Sequence, residues 1–287
     1  MRELRLLNID FLEAAVGTTR LCTILEPLPL GAPWDHLIVL DLSVNKVQVL
    51  GSVLGEMVGL QTLLLTANAL QVMPDVTTRL TKLRMLRLDE NRLSEFPMPV
   101  CLSDPGTRST KEILIEADVS GLGIPQSESV TVWHPGEPNP SIDYIDMSNN
   151  AIHSIAKPLV FVTTLTTLKL AKNRLVKLPP NFDQLVMLTE LDFSQNEFTV
   201  FVNEIWKLTN LKSLNVSLNK LLELPPSIKD LKALTAFDMS DNKVKELPLS
   251  IGQLRNLEKP VFKGNPLEVG LLFDPGNDAA VQIHDRI

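Results

Sequence analysis

Apolar residues stand eight, five and three places before an asparagine and two places after it, and this frame returns along most of the chain. It is centred on Asn45, Asn68 and Asn91, resumes at Asn150, Asn173, Asn196, Asn219 and Asn242, and closes loosely at Asn265, with 23-residue steps inside each group. A fixed period in the twenties predicts stacked coils, because each unit can bury its apolar face only against its neighbours. The alternation of apolar places before each asparagine predicts one short strand per coil. Nine asparagines in equivalent places read as a ladder, not as nine catalytic groups. An amide offers two donors and an acceptor, which suits a turn where backbone groups of adjacent coils lose water.

After the asparagine, most coils close with Leu-Pro or Phe-Pro and then an x-x-Ile/Phe-x-x-Leu arm, as in LPPNFDQL, LPPSIKDL and LPLSIGQL. The proline ends the extended run, and the later apolar pair turns the returning arm inward. Parallel strands stack about 4.8 Å apart, and the bulkier return arms force the stack to bend. The predicted fold is α/β: a curved solenoid of about ten strands, with a parallel sheet on the concave face and an irregular, partly helical convex side. The solenoid is expected over residues 37–270, between an N-terminal cap over 1–36 and a C-terminal cap over 271–287. In the first cap, Leu4, Leu7, Phe11 and Ala15 fall at helical spacing and predict an amphipathic helix over the first coil. Pro27, Pro29 and Pro33 mark an irregular link onward.

The period breaks between Asn91 and Asn150, which are 59 residues apart where two steps would give 46. Ile115, Ala117, Ser120 and Leu122 fit the Leu, Leu, Asn and Leu places of a degenerate repeat. On that reading a hidden strand lies within enlarged repeats over 98–141. The alternative is one large insertion.

The segments LTTLKLAKNRLVKLPPNFDQL (165–185), LKSLNVSLNKLLELPPSIKDL (211–231) and LTAFDMSDNKVKELPLSIGQL (234–254) resemble intracellular leucine-rich-repeat proteins of the Ras-suppressor and Scribble-like kind. The resemblance covers about residues 37–270. It implies an adaptor in signalling, a non-catalytic scaffold binding another protein on its concave face or along the rim. The central insertions depart from that family pattern, and no kinase, GTPase, phosphatase or ligase domain lies outside the repeats.

Composition narrows the setting. The chain of 287 residues is 44% hydrophobic but only 5% aromatic, so leucine fills its interior. A net charge of −7 argues against sequence-independent nucleic-acid binding, which needs a basic face. Cys22 and Cys101 are too few for the disulfide-braced caps of extracellular repeats and read as free thiols. Glu3, Asp10 and Glu13 interrupt the apolar N-terminus, unlike a secretory leader, and no apolar run reaches membrane-spanning length. The expectation is an intracellular, cytoplasmic protein without a membrane span.

Two surfaces are candidates for binding. On the concave face the central column includes Arg87, Glu116, Asp146, Lys169, Asp192, Asn215 and Asp238, flanked by Tyr144 and Glu190. Its charges either pair across adjacent strands or steer a partner segment rich in Lys or Arg. Tyr144, the chain's one tyrosine, is a candidate anchor. On the convex side, Trp206 occupies the place held by Asp183, Lys229 and Gly252 in other repeats, a place expected to face water. Val160, Phe161 and Val200 are also apolar where the frame expects polar residues. These four would form a convex patch docking the chain into a larger multiprotein assembly, the alternative to the adaptor reading.

Catalysis finds little support. His36, His134, His153 and His284 are scattered without zinc spacing, Asp89 and Glu90 lie on an open surface, and no glycine-rich phosphate loop is present. A hydrolase built in the insertions near His134 is the least supported reading. No metal or cofactor is expected.

Overall fold

A computed structural model describes residues 2–5, 34–73, 77, 79–95, 142–200 and 203–268. They contain ten strands of three residues each: β1 (Glu3–Arg5), β2 (Val39–Asp41), β3 (Thr62–Leu64), β4 (Met85–Arg87), β5 (Tyr144–Asp146), β6 (Thr167–Lys169), β7 (Glu190–Asp192), β8 (Ser213–Asn215), β9 (Ala236–Asp238) and β10 (Lys259–Val261). All pair in parallel, in sequence order, as one curved sheet. The strands are short because only their central residue faces the core: Leu40, Leu63, Leu86, Ile145, Leu168, Leu191, Leu214 and Phe237 are all but fully buried. Pro260 holds that place in β10, where its missing N–H is tolerated at the edge of the described sheet. Return arms run through short 3-10 turns such as Phe182–Gln184, Pro226–Asp230 and Leu249–Gln253.

Two expectations about the fold are corrected. Glu3–Arg5 form a strand paired with β2, Leu4 beside Leu40, so the chain's start extends the sheet as a strand. A strand satisfies the open backbone edge of β2, which a helix laid over the coil would not. The other proposed helical positions, Leu7, Phe11 and Ala15, lie outside the described residues.

The second correction concerns the gap. Strand β4 pairs directly with β5, Leu86 beside Ile145, so no hidden strand enters the sheet between them. The Leu93 N–H donates to Asn150 Oδ1 across 57 residues, where the equivalent bond from Leu70 to Asn91 spans 21. The 59-residue interval is therefore one ordinary step of 23 plus 36 further residues that add no strand between β4 and β5. The large insertion leaves the sheet unbroken and creates no new edge. Glu116 and the rest of that segment lie outside the described residues.

The ladder is present and complete in its chemistry. The Asn219 Nδ2 donates to the carbonyls of Val216 and Ser217 in its own coil, 3.1 Å each, and of Phe193 in the preceding one at 2.9 Å. Its Oδ1 accepts the Phe198 N–H at 3.1 Å. Asn68, Asn91, Asn150, Asn173, Asn196 and Asn242 repeat this set. Asn45 binds the Leu42 and Ser43 carbonyls, and Asn265 those of Met239 and Phe262.

The residue before every ladder asparagine has a positive φ, including Val44 at 56°, Ala67 at 54° and Leu218 at 54°, and only Gly264 among these nine is a glycine. The left-handed turn points the following amide inward. It strains side chains that branch at Cβ. Val44 is half-exposed, so it gains little packing in return. Val44→Asn is expected to raise stability by about 1 kcal/mol, read as a higher midpoint in urea unfolding followed by circular dichroism.

The candidate partner-binding floor

The first and third residues of each strand face away from the core and build the concave floor. Register places Arg87 beside Asp146, Asp146 beside Lys169, Lys169 beside Asp192, Asp192 beside Asn215, and Asn215 beside Asp238. Tyr144 and Glu190 flank this column on either side of Thr167. The structure thus brings together eight of the nine concave candidates.

Much of the column is first a turn device. Oδ1 of Asp41, Asp146, Asp192, Asn215 and Asp238 each accepts the backbone N–H two residues on, from Ser43, Ser148, Ser194, Ser217 and Ser240, at 2.9–3.1 Å. In two coils the serine hydroxyl joins, at 2.8 Å to Asn215 and 2.7 Å to Asp238. This Asx-type turn carries the chain from strand to ladder.

Arg87 interrupts the column, and Asp89 receives it instead. The guanidinium binds both Asp89 oxygens at 3.1 Å, and the Thr66 hydroxyl donates to Oδ1 at 2.9 Å. Sequence reasoning did not assign Asp89 to the floor, although the Arg-x-Asp spacing places both charges on one strand face. Burial lowers the Arg87 pKa, but its hydrogen bond to Asp89 and the charges of Asp89 and Asp146 outweigh that and raise it. Beside it, burial pushes the Asp146 carboxyl above the ordinary aspartate range, with the Asp89 charge adding to the rise and the Ser148 hydrogen bonds opposing it.

Lys169 reaches Glu190 at 2.8 Å and lies 5.9 Å from the centre of the Tyr144 ring. That hydrogen bond holds the ammonium pKa up against the effect of burial. Burial first, then the Asp146 charge, raises the Tyr144 phenol. Arg84 and Asp143 form a further ion pair at 3.0 Å, joining the coils of β4 and β5. Both central cations of the floor are therefore already neutralised, whereas Asp41, Asp192 and Asp238 have no cationic partner among the described residues.

The convex patch is corrected. Trp206 is 2% exposed and Val160 3%, and the indole belongs to the continuous core. The place they occupy lies at the boundary, where the 3-10 turn lets a side chain lean either way. Apolar Val160 and Trp206 lean in, while Asp183 leans out to Lys207 at 3.1 Å. Phe161 and Val200 do remain about half-exposed, but without Trp206 and Val160 the proposed docking patch is gone.

Among the described residues, no three His, Cys, Asp or Glu side chains converge as a metal site, and no helix is long and apolar enough to cross a membrane. His134, His284, Cys22 and Cys101 lie outside them.

Residues 163–221 match the family model described as leucine rich repeat. The fold is that of a leucine-rich-repeat solenoid. A solved leucine-rich-repeat protein of Leptospira interrogans superposes with a TM-score of 0.68 at 26% identity, over 83% of this chain and 52% of that one. An internalin of Listeria monocytogenes superposes at 0.61 with 22% identity, over 81% and 56%. A plant peptide hormone receptor, solved with its ligand RGF2, gives 0.60 at 19% identity, over 81% and 33%. The leucine-rich-repeat chain thus spans about half the length of the first two, or less of the third, and the likenesses under 25% identity concern the fold. No curated protein matches it by sequence.

Proposed function

We propose that this leucine-rich-repeat chain is a non-catalytic adaptor of the reducing cell interior that takes a basic segment of a partner protein on its concave floor. The observation that carries this reading is the unequal pairing of charge. Arg87 and Lys169 are held by Asp89 and Glu190, so the floor offers a partner the free carboxylate edges of Asp192 and Asp238, with the half-buried Tyr144 ring nearby. Such a floor attracts exposed Lys or Arg and repels acid. Held by a ten-stranded sheet and an amide ladder, it loses little conformational freedom on binding.

The test is capture of partners from native extract by the intact chain, by Asp192→Lys with Asp238→Lys, and by Tyr144→Ala. All three residues lie on the strand face turned away from the core, and because the Asp pair also gives up the turn acceptors for the Ser194 and Ser240 N–H groups, circular dichroism first establishes that each variant folds. Wild type should retain a stoichiometric protein partner that elutes as salt rises, because exposed charges are screened. The charge-reversed pair should retain roughly a tenth as much or less. Equal retention by all three would remove the floor as the binding surface.

A further inference from the structure

Two positions of the return arm that carry no cation in the coils of Val160, Asp183 and Trp206 carry Lys229, Lys232 and Arg255 near the C-terminal end of the solenoid. The place of Val186 and Thr209 is taken by Lys232 and Arg255, and that of Trp206 by Lys229 and then Gly252. Gly252 is buried but brings no side chain to the place the Trp206 indole fills in an earlier coil. The consequence is an open hollow of about 670 Å³ between the 3-10 turns Pro226–Asp230 and Leu249–Gln253, lined by Lys229, Lys232, Gly252, Gln253, Arg255 and Asn256. Among the described residues, its lining contains no carboxylate. The Asn256 amide is committed to the Lys232 carbonyl at 2.8 Å and fixes the rim. Lys229, Lys232 and Arg255 form no ion pair among the described residues, unlike Lys207, Lys220 and Lys169. Three cations without an ion pair among the described residues stand around one concavity, in a chain of net charge −7, and leave a local positive field.

We infer that this hollow is a second binding site, which takes an acidic Asp- or Glu-rich segment of a protein partner on the convex side, independently of the concave floor. The lining favours that occupant over other polyanions. It has no aromatic ring on which a nucleobase could stack. Gly252 recesses the floor below the cationic rim, where a flat bilayer surface cannot follow but a carboxylate side chain can. Lys and Arg heads then meet the carboxylates at the rim, with the Gln253 amide beside them.

The probe is a fluorescein-labelled octaglutamate peptide titrated with the full chain, with octalysine as the charge control. The comparison is Lys229→Glu with Lys232→Glu and Arg255→Glu, set against Lys177→Glu with Lys212→Glu and Lys243→Glu, an equal charge change on exposed residues elsewhere. Octaglutamate should bind wild type, weaken as salt rises, and lose roughly tenfold or more in affinity only in the hollow variant. Asp192→Lys with Asp238→Lys should leave an octaglutamate site intact that the hollow substitutions still abolish, so failure of the floor reading does not touch this one. Absent binding, or equal weakening by the two triple variants, would overturn the site. Hollow-dependent capture of phosphatidylserine vesicles without octaglutamate binding would overturn the peptide assignment.

Discussion

Asn219→Asp is expected to lose roughly 4 kcal/mol of stability at neutral pH, although it changes no side-chain volume to speak of. The Asn219 Nδ2 faces three carbonyl oxygens, those of Phe193, Val216 and Ser217, within 3.1 Å. A carboxylate in its place sets a buried charge against three acceptors and keeps only the Phe198 N–H as a donor. The charged form is disfavoured by the fold, so the folded pKa of this new group lies above its unfolded value of about 3.9. The sign follows from linkage: the variant is least impaired below the unfolded pKa and loses stability as pH rises through the folded one. Asn219→Ala removes the same bonds without a charge and should cost about 3 kcal/mol with no added pH dependence. Urea unfolding of both variants between acid and neutral pH separates these effects. A pH-independent loss in Asn219→Asp would show that the amide hydrogens do not carry the ladder.

Trp206→Ala is expected to cost about 3–5 kcal/mol, the range for emptying a buried aromatic site. The indole is 2% exposed and shares one core with Ile205 and Leu208, which are fully buried. Phe193 and Phe198 pack at 5.3 Å in the same continuous core, so few flexible side chains are on hand to fill the void. The loss should appear as a lowered thermal midpoint with binding per folded molecule preserved. A stable Trp206→Ala that fails to bind would instead restore the indole to a contact surface.

The sequence carried the fold where chemistry repeats. Six of the nine ladder amides, Asn219 among them, satisfy groups 26, 21, 3 and 2 residues back, so one residue type recurs at one spacing and is visible without coordinates. The hidden strand was misjudged because apolar spacing alone cannot distinguish a strand threaded into the sheet from one looped out of it. A physical clue lay in Ser120: one hydroxyl cannot supply the two amide donors and the acceptor of a rung. The N-terminal strand was missed because Leu4 alone faces the core from β1, and a single apolar residue sets no period.

For the floor, alternation placed Asp146, Lys169, Asp192, Asn215 and Asp238 correctly on one face, since strand geometry has a strict period of two. It did not show which charges were already satisfied. The Asp-x-Ser and Arg-x-Asp spacings of D41/S43, D192/S194 and R87/D89 held that information as turn and pair chemistry. The return arm has no comparable period, and there Trp206 was judged from the polarity of its counterparts. A boundary place lets each side chain follow its own polarity, so the indole went in where Asp183 went out.

The measurement that tests the central claim most directly is photocrosslinking from single positions of the intact chain in native extract. A benzophenone side chain would be placed at Thr167 on the floor, between Tyr144 and Glu190, and separately at Lys177, exposed in the return arm of the same repeat. The account predicts a discrete protein adduct from Thr167 that Asp192→Lys with Asp238→Lys abolishes, and no such adduct from Lys177. An adduct from Lys177 with none from Thr167 would contradict it.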